Sequence, residues 1–160
     1  MPIGGGGKHG VSAMKVAEAL KGINRLFLDT PPIIYYVQGH PLYLPLMDFV
    51  FAKVSLGIIE VATSPITLAE CLVLPLRMGN LDLAERFRRI ITAGFNTRYI
   101  GIDGVAYQAA ELRARYNLTL LDAFQVAVAL KARCDALLTN DEAFKRVHEL
   151  TILLLNELEI

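Results

Sequence analysis

The sequence predicts an α/β fold of three layers, with a central parallel sheet of four to five strands flanked by helices. Three observations carry this. Short apolar runs of strand length alternate with longer stretches of helical period along the chain. At several points two helical stretches stand between successive strands, which favours parallel strands with helices on both faces. The length of 160 residues suits one domain, and a hydrophobic content of 54% supplies a core and excludes general disorder.

Residues 1–13, MPIGGGGKHGVSA, have no apolar period and read as a flexible glycine-rich tail or extension, with the folded domain at 14–160. The run Gly4–Gly7 lacks a preceding strand and a Gly-Lys-Ser/Thr ending, so it makes no phosphate loop. Arg25–Leu28 reads as a strand ending at Asp29, and Thr30-Pro31-Pro32 as a helix start with Thr30 as N-cap. A second helix is expected over Pro41–Leu56 and a strand over Gly57–Thr63, closed by Pro65. Helices follow over Thr67–Met78, with Pro75 kinking or ending it, and over Leu81–Ile91. A strand at Thr97–Ile102 precedes helices at Val105–Tyr116 and Leu120–Arg133. A strand at Ala136–Thr139, a short helix over Glu142–Val147 and a strand at Leu150–Leu155 complete the series.

Composition narrows the function. With 16 basic and 16 acidic side chains the net charge is zero, so any nucleic acid must be held by a local patch, a metal or a second subunit. Cys71 and Cys134 make no zinc spacing with each other or with His9, His40 and His148. They read as two buried apolar thiols of a protein in a reducing cytoplasm. Mean hydropathy is +0.42, and Thr30–Met47 carries no Asp, Glu, Lys or Arg. Its prolines 31, 32, 41 and 45 would leave backbone groups unpaired in lipid, so no membrane span is expected. No apolar segment of signal-peptide type follows the first residues.

Four acids, Asp29, Glu70, Asp122 and Asp141, sit where chemistry could gather, and each also has a capping explanation. Thr67-Leu-Ala-Glu70 fits a capping box, Thr119-Leu-Leu-Asp122 a looser version, Asp29 adjoins a cap, and Asp141 could cap the short helix after it. Their combination argues for more. Asp29 and Asp141 follow strand ends, and Glu70 opens a helix just beyond a third strand. Ligands of open parallel sheets collect outside the carboxyl ends of the strands. Spacing alone does not say from which edge the helix of Asp122 starts. Clustered carboxylates need a cation between them, and an all-oxygen set without histidine or cysteine suits Mg²⁺ or Mn²⁺ rather than zinc. Phosphodiester hydrolysis is the reaction such a site performs.

Four segments in order resemble the motifs of the PIN-domain family, and within it the VapC-type toxins of toxin–antitoxin pairs. They are Leu26-Phe-Leu-Asp29-Thr30, Thr63-Ser-Pro-Ile-Thr67-Leu-Ala-Glu70, Leu120-Leu-Asp122-Ala-Phe-Gln-Val-Ala127 and Leu138-Thr139-Asn140-Asp141-Glu-Ala-Phe144. The resemblance spans residues 24–158. It implies a PIN-like fold, a divalent-metal site made by all four acids, and endoribonuclease activity on single-stranded or loop RNA. It also implies a homodimer and a neutralising antitoxin protein. On this reading Asp29, Asp122 and Asp141 hold metal, and Glu70 holds metal or orients the attacking water. Thr30, Thr139 and Asn140 would support them, with the Thr139 hydroxyl donating to a carboxylate; ordinary strand-end and cap chemistry is the competing account of Thr139 and Asn140. Pro31 stands where many members carry Asn or Ser.

Arg86, Arg88, Arg89 and Arg98 could guide RNA phosphates, against a plain solvated face. The aromatic surface of the first two helices, with Tyr35, Tyr36, Tyr43, Phe49 and Phe51, reads as core or partner interface. Two rivals stand beside the nuclease. One is a non-catalytic RNA-binding or scaffold domain. The other is a phosphatase using Asp29 as phosphoryl acceptor, which would need a second Asp where Pro31 stands.

Overall fold

The three central strands of the sheet are largely apolar and buried on both faces, and this sets the layers. The structure, a computed structural model, describes residues 12–160. The elements are β1 (Met14–Lys15), α1 (Val16–Ala19), β2 (Arg25–Leu28), α2 (Thr30–Gln38), α3 (Leu44–Ser55), β3 (Glu60–Thr63), α4 (Pro65–Arg77), α5 (Leu81–Ala93), β4 (Thr97–Tyr99), α6 (Ala106–Tyr116), α7 (Leu120–Lys131), β5 (Ala136–Thr139), β6 (Thr151–Leu154) and β7 (Leu158–Glu159). Short 3₁₀ turns occupy Glu142–Arg146 and Leu155–Glu157. The glycine run 4–7 lies outside the described residues.

The main sheet is five-stranded and parallel throughout, in the order β4-β3-β2-β5-β6. Side chains alternate across it, as the period of two requires. Leu26, Leu28, Val61, Ala136 and Leu138 join a core with residues of α1 to α5. Phe27, Ala62 and Leu137 join a second core with α6 and α7. The chain steps outward from β2 through β3 to β4, then returns to place β5 on the other flank of β2. The strand order therefore reverses between β2 and β5, and a crevice is expected at their carboxyl ends.

Several element boundaries depart from the sequence expectation, each for a local reason. The second helix starts at Leu44 rather than Pro41, because His40 Nδ1 accepts the N–H groups of Leu42 and Tyr43 and holds a turn there. β3 starts at Glu60 rather than Gly57, because the N–H groups of Gly57 and Ile58 return to carbonyls of α3. The fourth helix starts at Pro65 rather than Thr67, because the Ser64 hydroxyl caps it. It runs through Pro75 without ending. β4 stops at Tyr99, three residues short of the expected Ile102. β1 and β7, too short to show a period, pair in parallel beside a Lys15–Glu159 ion pair of 3.5 Å.

Both cysteines are free and buried. Among the described residues no helix is long and apolar enough to cross a membrane.

Phe27 is fully buried where β2 meets the α6–α7 layer, whereas Phe95 is 72% exposed. Phe27→Ala is expected to cost about 3–5 kcal/mol of unfolding free energy, and Phe95→Ala less than about 0.5 kcal/mol, read by denaturant titration.

Candidate metal centre at the sheet edge

Asp29 follows the last residue of β2 and is 5% exposed. Its own N–H donates to Leu138 O at 3.0 Å, which extends the β2–β5 pairing into the crevice. It stands at the N-cap of α2 yet makes no side-chain cap bond. The reason lies in the sequence. The N2 and N3 positions of α2 are Pro31 and Pro32, which have no N–H to offer. The carboxylate oxygens are left for other partners. Thr139 Oγ1 donates to Asp29 Oδ2 at 2.8 Å, and Gln125 Nε2 reaches Oδ1 at 3.4 Å. Burial pushes the Asp29 carboxyl up from its ordinary range, opposed by the Thr139, Thr30 and Gln125 donors and reinforced by the charge of Glu70.

Glu70 is not part of a capping box. The N-cap of α4 is Ser64, whose Oγ accepts from the N–H groups of Ile66 and Thr67, so Glu70 lies in the second turn. Its Oε1 accepts the Thr30 hydroxyl at 3.0 Å. Thr30 is thus not the N-cap but the first residue of α2, with its side chain turned to Glu70.

The edge from which α7 starts is settled by its contacts. Asp122 lies in its first turn, and Gln125, one turn on, touches Asp29. Asp122 is half-buried, and its carboxyl is pushed up to about 6 by burial first, then by the charges of Asp29 and Asp141, against a lowering Thr119 bond. Thr119 caps α7 by accepting the Asp122 N–H at 3.2 Å. Asp141 is exposed, and its Oδ1 does cap the 3₁₀ turn by accepting Ala143 N–H at 2.9 Å. Its backbone N–H donates to Thr139 Oγ1 at 3.1 Å, so one hydroxyl ties Asp141 to Asp29.

Charge coupling thus links Glu70 to Asp29, and Asp122 to both Asp29 and Asp141, near the strand-order reversal, and among the described residues none of the four is in an ion pair with Lys, Arg or His. No three carboxylate, imidazole or thiol side chains among the described residues stand close enough to chelate one ion together. Three direct protein ligands, the sequence expectation, are thus not preassembled. Mg²⁺ commonly takes one or two carboxylates and keeps several waters, and the all-oxygen, cation-free set fits that mode.

Other expected residues lie elsewhere. Asn140 donates to Tyr35 OH at 3.3 Å and accepts Asn156 N–H at 3.0 Å, so it braces the loop rather than a carboxylate. Arg86 donates to Val37 O at 2.8 Å, and Arg88 and Arg89 pair with Glu85 on the same helix. Arg98 lies 3.7 Å from Glu60, which opens β3 at the opposite edge of the sheet. Tyr35, Tyr36, Tyr43, Phe49 and Phe51 pack against the core, with Tyr35 on Tyr43 and Tyr36 on Phe51. The buried residues Ser64 and Gln125 escape the sequence reading, and Thr67 figures in it only as a helix cap. Gln125 left one signal: it is the sole polar side chain between Ala123 and Leu130.

A five-stranded parallel sheet with the order β4-β3-β2-β5-β6 and acids gathered at its reversal point defines a class of fold. The PIN-domain family matches residues 26–150, and the chain belongs to that family. No curated protein matches it in sequence. Its fold is similar to VapBC2 from Rickettsia felis bound to a DNA fragment from their promoter, at 18% identity and TM-score 0.64, covering 81% of this chain and 97% of that one. It is also similar to a toxin–antitoxin complex from Klebsiella pneumoniae, at 23% identity and TM-score 0.62, with coverage of 81% and 97%. A third is VapC20 from Mycobacterium tuberculosis, described as a sarcin–ricin loop cleaving toxin, at 19% identity and TM-score 0.62, with coverage of 75% and 92%.

The raised Asp122 carboxyl has a consequence for stability. A carboxyl whose folded pKa lies above its ordinary 3.8 carries no penalty below that value. The penalty grows as pH rises towards about 6 and is complete above it. In metal-free protein, Asp122→Asn is expected to be more stable than wild type by about 1 kcal/mol near neutral pH, after discounting for solvent screening. The gap should close at acid pH below the ordinary carboxylate range, as read by thermal unfolding at both pH values.

Proposed function

We propose that the chain is a Mg²⁺- or Mn²⁺-dependent endoribonuclease that hydrolyses phosphodiesters in single-stranded or loop RNA, as the toxin of a toxin–antitoxin pair. The observation that carries this is the buried Asp29, coupled to Glu70 and Asp122, with none of the three paired to a cation among the described residues. Such a set is unfavourable unless a cation joins it.

Asp29, Asp122 and Asp141 are the residues that would hold the ion, directly or through its waters. When bound, the ion supplies Lewis acidity towards the phosphate and acidifies an attacking water. The chain's own groups do the rest. Thr139 fixes Asp29 Oδ2 and the Asp141 backbone together. Thr30 occupies Glu70 Oε1, which leaves Oε2 to orient a water and accept its proton. The loop-cleaving activity named for the M. tuberculosis relative supports RNA as substrate.

The toxin–antitoxin complexes among the similar structures support an antitoxin partner. A cleft of about 600 Å³, lined by Tyr36, Val37, Leu44, Arg86, Arg89 and Ile90, offers a surface for one. Self-association would use exposed apolar side chains such as Val73, Leu74, Leu76, Met78 and Leu81, each more than half exposed, rather than the aromatics of α2 and α3. The phosphatase alternative fails on Pro31, which stands where a second Asp is needed.

Cleavage of mixed single-stranded RNAs with Mg²⁺ or Mn²⁺ tests the reading. Asp29→Asn and Asp122→Asn are each expected to lose at least about a hundredfold in rate, and EDTA to abolish cleavage. Activity that survives EDTA, or mutants as active as wild type, would sink it.

A further inference from the structure

Ser64, Thr67 and Gln125 are fully buried polar side chains joined by hydrogen bonds, with Gln125 reaching Asp29, and the proposed chemistry uses none of them. Their hydrogen bonds have one consistent direction. Ser64 Oγ accepts from the N–H groups of Ile66 at 3.1 Å and Thr67 at 3.3 Å. Its hydroxyl proton is then free to donate, and it goes to Gln125 Oε1 at 2.5 Å. That fixes the amide: its oxygen faces Ser64, so its NH₂ must face the other way. The two N–H bonds run to Thr67 Oγ1 at 2.7 Å and to Asp29 Oδ1 at 3.4 Å. Thr67 Oγ1 points its own proton towards Leu28 O at 3.4 Å, which leaves it an acceptor for Gln125. A flipped amide would set an oxygen against the carboxylate and break the Ser64 bond.

Capping does not require this arrangement. Among the described residues, Asn80 caps α5 and Thr119 caps α7 without a hydrogen bond to any further side chain. A fully buried amide also costs free energy that an aliphatic residue would not.

We propose that Gln125 is a positioning residue, which relays the N-terminal polarity of α4 to Asp29 Oδ1 and fixes the plane in which Asp29 presents its oxygens to a divalent ion. Gln125 and Thr139 hold the carboxylate from both sides, one donor on each oxygen. The relay couples β2, α4 and α7 to one carboxylate. This rests on Asp29 being a metal ligand, as proposed above.

The test measures Mn²⁺ binding by calorimetry on the full chain, for wild type, Gln125→Met, Thr67→Val and Asp29→Asn. Folding of each is checked by circular dichroism. Asp29→Asn is expected to abolish binding, and folded Gln125→Met to weaken it about ten- to hundredfold. Cleavage by Gln125→Met should recover towards the wild-type rate at saturating Mn²⁺, whereas a merely structural defect would not be rescued by metal. Wild-type Mn²⁺ affinity in folded Gln125→Met overturns the proposal alone. If Gln125→Met does not fold, the near-isosteric Thr67→Val decides. It unpins the amide and is expected to weaken binding at least about threefold, and unchanged affinity overturns the proposal. Wild-type affinity in Asp29→Asn, or no binding by wild type, removes the metal-centre reading and this inference with it.

Discussion

The buried carboxylate of Asp29 is the constraint around which this structure is organised. It sits at the end of the central strand, beside the point where strand order reverses, with almost no solvent to stabilise its charge. An isolated charge in such a place is costly, so the chain surrounds it with donors rather than with cations. Thr139 comes from β5, Gln125 from α7 and the Thr30 N–H from α2. One side chain thus ties α7 and β5 to the start of α2, across separations of 96 and 110 residues. The remaining acids then add negative charge to a site where no acid pairs with a cation among the described residues. These are the facts on which the proposed divalent ion rests.

The prolines after Asp29 acquire a meaning in this light. An aspartate at a helix N-cap usually spends its oxygens on the N–H groups of the first turn. Pro31 and Pro32 withdraw those groups while their fixed backbone angles still favour the helix start. Asp29 thereby stays available to other partners. Glu70 is released in another way. Ser64 takes over the capping of α4, and Glu70 turns to Thr30. Asp141 alone both caps and faces the crevice, and its Oδ1 is committed to Ala143.

Legibility in the sequence followed local physics. β2 and β5 were readable to the residue, because a strand buried on both faces is an uninterrupted apolar run ending at a polar residue. The start of α4 was misplaced because Ser64-Pro65 carries two meanings, strand end and helix start, and only the capping bonds decide between them. β1 and β7 are two residues each, too short for any period. Three of the acids were placed by strand and helix order, while Asp122 needed the contact of Gln125 with Asp29 to show its edge. The arginines could not be placed from spacing, since nothing local says that Arg98 turns to Glu60 or that Arg86 ends on a backbone carbonyl. Gln125 was visible only as an oddity, a polar side chain in an apolar helix face.

The central claim is that the carboxylates at the β2–β5 crevice form a single divalent-cation site whose keystone is Asp29. Thermal unfolding of the full chain across a Mn²⁺ titration, with Asp29→Asn alongside, tests it most directly. An ion that binds only the folded state stabilises it by about 2.7 kcal/mol at a hundredfold excess over its dissociation constant. The account predicts a midpoint that climbs with Mn²⁺ in the wild type near neutral pH and stays flat in Asp29→Asn. A flat wild-type profile, or an equal climb in both proteins, would contradict it.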